Sequence, residues 1–158
     1  MRRCQRFLAA VAVFTIVVSG NFVSHSSAQA PAGTAEPHQP VFTLSGDAAI
    51  VTFLIKADKT ADFEMVLGRL KEALHKSDNT RRREQSAGWA VFKSSAMVQG
   101  HAVYVMRIDP VLRGEEYDIT RLIAEVFPVE VQELFLKYKD AFAGRGVTEL
   151  TRVLTMNQ

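Results

Sequence analysis

The chain has 158 residues, 47% of them hydrophobic, 23% charged and 9% aromatic, with a formal charge of +2 and a single cysteine. That composition fits a globular chain of about one domain and excludes disordered, collagenous, disulfide-stapled and multi-pass membrane classes. Of the 19 basic side chains, Arg2, Arg3 and Arg6 fall in a segment read below as a leader; the other 16 stand against 17 acidic ones, a net of −1 that makes no case for a nucleic-acid partner.

Residues 1–30 have the three parts of a secretory signal peptide: a basic start, an apolar run from Phe7 to Val18, and small residues ending Ala28-Gln29-Ala30. Cleavage after Ala30 is expected, with a periplasmic or secreted location and no membrane association afterwards. A retained anchor needs about 20 apolar residues, and this run stops at Ser19-Gly20-Asn21. Cys4 lies within the leader, so the exported chain would hold no disulfide, no thiolate nucleophile and no cysteine metal site. Residues 31–47 contain Pro31, Pro37 and Pro40 without an apolar period and are expected to be a flexible tether. The domain occupies 48–158.

Within it, Ala49–Lys56 is rich in β-branched and aromatic residues and apolar in both alternating sets, the pattern of a strand buried on both faces. Thr60 is expected to cap a helix carrying Phe63, Val66, Leu67, Leu70 and Leu74 on one face. A polar stretch follows to Ala87; its Arg81-Arg82-Arg83 run, flanked by Asp78 and Glu84, reads as a solvated loop. Gly88–Ser94 and His101–Ile108 form a hairpin joined by residues 95–100. From Asp118 the spacing turns helical through Ile119, Leu122, Ile123 and Val126, and Pro128 opens a second helix with Val131, Leu134, Phe135, Tyr138 and Phe142 on one side. Gly144 and Gly146 end that helix, and the threonine-rich tail from Val147 to Met156 reads as a last strand.

The order is therefore the βαββαβ of a ferredoxin-like α+β domain, one antiparallel sheet with helices on one face. Helices cover only one side of such a sheet. The other side, apolar on the strands at 49–56 and 101–108, is expected to be covered by a second copy in a homodimer.

Element order, the Gly88-Trp89 start of the hairpin, the strand around Tyr104–Ile108 and the short helix before the main one resemble the dimeric α+β barrel superfamily, which includes the antibiotic biosynthesis monooxygenase-like domains. The resemblance covers about residues 48–155. It implies a homodimer and admits cofactor-free oxygenases, isomerases, haem-degrading enzymes and non-catalytic members, among which fold alone does not choose. The haem-degrading members would require an asparagine on the first strand and a histidine on the second main helix. Residues 49–56 hold no asparagine and 118–143 no histidine, so no cofactor is expected.

Three side chains are the candidates for lining a site for a small hydrophobic ligand. Trp89, the sole tryptophan, is either a pocket wall or core packing. Arg107 shares strand parity with Val103 and Val105, and is either a structural ion-pair partner or an anchor for an acidic ligand. Tyr104 is a hydrogen-bond donor on the same strand. His101 at a strand end and His75 at a helix end have no second ligand at metal spacing, and the Glu115-Glu116-Asp118 group reads as a polar loop leading to a helix cap. No nucleophile constellation is present. The expected role is small-molecule binding or an accessory function without catalysis; the alternative is a cofactor-free monooxygenase or isomerase working in a cavity between sheet and helices.

Overall fold

A computed structural model describes residues 39–156, so the expected leader and the tether as far as residue 38 lie outside the described residues. Strand β1 (Ala48–Lys56) passes through a 3-10 turn at Ala57–Lys59 into helix α1 (Thr60–Lys76), then α2 (Thr80–Ala87), β2 (Trp89–Val98), β3 (His101–Ile108), α3 (Ile119–Ala124), α4 (Val131–Ala141) and β4 (Phe142–Leu150). The strands lie in the order β2-β3-β1-β4, with β3 antiparallel to both β1 and β2, and β4 antiparallel to β1. Strands β1 and β2 therefore run parallel with β3 inserted between them. This is the split βαβ of a ferredoxin-like α+β fold, with α2 and α3 added to its two crossovers.

Burial alternates strictly along β1 and β3. Ala49, Val51, Phe53 and Ile55 of β1 face the helices together with Ala102, Tyr104, Met106 and Ile108 of β3. Phe63, Val66, Leu70, Ala73 and Leu74 close over them from α1, and Leu134, Tyr138 and Ala141 from α4. Aromatic rings fill the centre: Phe63 packs on Phe53 at 5.3 Å and edge-on to Tyr104 at 4.9 Å, while Tyr138 meets Phe142 at 4.4 Å. Such tilted pairs are a favoured way for rings to bury large areas.

The structure corrects the expected outline in several places. Residues 80–87 are helical: the Asn79 side chain accepts a hydrogen bond from the Arg81 N–H and caps α2. The inward face of α2 is made of Arg82 and Gln85, both buried, and so carries no apolar period. Thr60 is the first residue of α1 and not its cap, because the 3-10 turn delivers the chain already wound and Lys59 takes the cap position without a side-chain bond. Strand β2 runs on to Val98 through an irregularity between Lys93 and Met97. The hairpin turns on two residues, Gln99 and Gly100, with φ of 51° and 78°, the left-handed pair that suits a right-twisted hairpin. Helix α4 stops at Ala141 and β4 starts at Phe142, placing Gly144 and Gly146 within the strand. At Gly144 an added Cβ would meet Leu54 side-chain atoms from 3.4 Å outward.

The expected tether also ends earlier. Leu44 is buried in the core, the Ser45 and Gly46 N–H groups both donate to Glu149, and the Asp47 N–H donates to the Leu150 carbonyl. Residues 41–47 thus belong to the folded domain.

Candidate functional site

Register decides where the three candidate side chains go. Trp89 is paired with Ile108 and Lys93 with Tyr104, so Trp89 and Tyr104 share the helix-covered face. Arg107 is paired with Ile50 and Ala90 and points to the opposite face. The three do not converge. The Trp89 ring is half-buried and stacks on Tyr117 at 5.6 Å and 17°, with its indole N–H buried and unpartnered. Tyr104 is buried; its hydroxyl donates to Glu64 at 2.6 Å, and Lys93 Nζ reaches the same oxygen at 2.8 Å. Hydrogen bonds from Lys93 and then Tyr104 hold the Glu64 carboxyl below its ordinary range, while burial, with Glu64 adding to it, pushes the Tyr104 phenol up. Arg107 is exposed and has no ion-pair partner among the described residues.

The centre of the core, where β1 and β3 meet α4, is filled. The void bounded by Val51, Phe53, Met106, Tyr138 and Arg145 measures about 10 Å³, no more than about one water requires. No enclosed chamber is formed at this point of the core.

Two other surfaces stand out. The first is an open groove of about 470 Å³ between α1 and β2, within the usual range for small-ligand sites. From α1 it is lined by Leu67, Gly68, Leu70, Lys71, Leu74 and His75; Trp89 and Val91 of β2 and Ser86 of α2 complete it. Trp89 is the candidate that lies here. The sequence signal for the rest was Gly68, a glycine at the middle of a 17-residue helix, where it costs about 1 kcal/mol relative to alanine. Nothing lies within 4 Å of a Cβ built there, so packing does not demand it.

The second is the free face of the sheet. Ile50, Thr52 and Leu54 of β1 lie beside Val103 and Val105 of β3, with Phe92 of β2 next to Val105 and Gly144 and Gly146 of β4 on the far side. Phe92 is 57% and Val98 47% exposed. The basic residues of this face sit at its ends: His101 at one, beside Lys56 whose ammonium turns to Asp140 of α4, and Arg107, paired with Ile50, at the other.

No group of three or more His, Cys, Asp or Glu is placed to hold a metal ion among the described residues, and no described helix is long and apolar enough to cross a membrane. The chain matches no family model and no curated protein. Among solved structures it is similar to a dimeric ferredoxin-like protein of unknown function from Thermobifida fusca YX, with 14% identity over 73% of this chain and 99% of that one and a TM-score of 0.33.

Proposed function

We propose that the chain is an exported, homodimeric binding or accessory domain whose two copies pair through their free sheet faces and which takes up a small apolar molecule. The observation that carries the dimer is the free face itself. A sheet of four strands spaced about 4.8 Å, with some eight residues at about 3.3 Å, presents roughly 500 Å² in projection. That supplies the apolar centre of a standard interface of about 800 Å² per partner. Ile50, Leu54, Val103, Val105 and Phe92 occupy that centre, and the basic residues of this face lie at its ends. Export is supported by the three-part leader at 1–30. Ligand uptake is supported by the open groove at Trp89; the void of about 10 Å³ at the centre of the core leaves no room for an enclosed substrate there.

Val105→Asp tests the pairing. Its side chain is half-buried on the free face, so a carboxylate there remains tolerable in one copy but becomes desolvated between two. The variant is expected to sediment as a monomer with native far-ultraviolet circular dichroism. Unchanged association would contradict the reading.

A further inference from the structure

We propose that the groove between α1 and β2 binds a small apolar molecule bearing a carboxylate, its body against Leu70, Leu74 and Trp89 and its carboxylate against Lys71 and His75. This rests on the binding reading above and is independent of the dimer.

Three observations converge on it. The wall is apolar: Leu67, Leu70, Leu74, Trp89 and Val91 supply most of the lining, and the hydroxyl of Ser86, which also lines it, donates to the Arg83 carbonyl. Its charge has one sign, because no lining side chain is acidic and the two titratable ones are Lys71 and His75. These two stand at i and i+4, neighbours on one helix face. They are also the basic side chains of α1 left without an acid. Arg69 is held by Glu72 and Glu130, and Lys76 by Glu72, whereas neither Lys71 nor His75 has an ion-pair partner among the described residues.

Gly68 is the third. It lines the groove between Leu67 and Leu70, and a Cβ there meets open space. A helix-interior glycine with no packing reason lowers helix stability against alanine. Absence of a side chain at this point keeps the groove open where the ligand body would lie. The site thus combines an apolar trough, an unpaired basic rim and a helix residue whose only structural consequence is space.

The sole tryptophan makes the test direct. Protein purified from cells expressing the full-length chain is titrated with octanoate, octanol and octylammonium, following Trp89 emission. Octanoate is expected to bind saturably, and octylammonium about ten-fold or more weakly, a difference of ~1.4 kcal/mol or more. Lys71→Glu, an exposed substitution, is expected to weaken octanoate by a similar factor. Gly68→Phe is expected to abolish binding by filling the groove; Gly68→Leu serves if the larger ring disturbs folding. No saturable octanoate binding to the parent protein, equal binding of octylammonium, or unchanged binding in the Gly68 variant would each overturn the proposal. Octanoate binding by a monomeric sample would leave it intact and count only against the dimer.

Discussion

The Glu116 carboxylate accepts the Val41 backbone N–H at 2.7 Å, joining two points 75 residues apart in the chain. Its other oxygen accepts from the N–H groups of Phe42, Tyr117 and Asp118. Glu116 is only 2% exposed, so the start of the domain is clamped to the loop before α3 by one buried carboxylate. Burial pushes that carboxyl up, but the four backbone donors together outweigh it and hold it below its ordinary value. A lowered folded pKa gives stability that is complete above the unfolded carboxylate value, about 4.3, and is lost as pH falls through the folded one. Glu116→Gln is therefore expected to lower stability by about 2 kcal/mol near neutral pH and to flatten its acid dependence, as read from urea midpoints at about pH 7 and about pH 3.

Adjacent arginines on α2 behave differently. Arg82 is buried, makes two bonds to Glu125 at 2.9 and 2.7 Å, and also reaches Glu115 and Gln85. Its replacement by alanine removes both bonds to Glu125 and leaves Glu115 to Arg81 alone, and is expected to cost about 3 kcal/mol. Arg81, which pairs with Glu84 and Glu115 from a side chain 45% exposed, is expected to cost several-fold less on the same change. Chemical denaturation of the two variants under one buffer checks the contrast.

Much of this architecture was legible in the sequence, and the misreadings share a cause. Alternation over 49–56 and 101–108 and the helical period of 63–74 mark the three elements that supply most of the core, and periodicity is a signal a single sequence carries well. Helix α2 was missed because its inward face is built from Arg82 and Gln85, which a hydrophobic pattern does not register. The boundary between α4 and β4 was misplaced for a related reason. Phe142 continues the helical spacing of Leu134 and Tyr138, yet it opens a strand and packs on both Tyr138 and Phe53 from there. Of the site candidates, Trp89 reached the groove. Lys71 and His75 were invisible as a pair because their significance comes from partners they lack, which only the ion pairs of Arg69 and Lys76 bring out.

Gly68→Ala supplies a prediction on stability. The helix gains propensity and the new methyl meets no neighbour, so the variant is expected to be more stable by about 1 kcal/mol and to melt about 3–6 °C higher. A differential scanning calorimetry trace showing a lower melting temperature would mean that the position is packed.

All three tyrosines, Tyr104, Tyr117 and Tyr138, are buried, and burial pushes each phenol above its ordinary value. Raised folded values mean a contribution to stability that is complete below the unfolded pKa of about 10 and lost as pH rises through the folded values. Near pH 10 the native protein is expected to show little phenolate absorbance, whereas the urea-unfolded chain shows all three groups about half ionised. Native absorbance matching the unfolded chain at that pH would mean that the rings are open to water.

The mass of the purified protein in solution, measured by light scattering across the micromolar range, decides whether two copies pair. Twice the chain mass, persisting on dilution, is expected from the proposed pairing of the face formed by Ile50, Leu54, Phe92, Val103 and Val105 with the same face of a second copy. A single-chain mass throughout that range would contradict it.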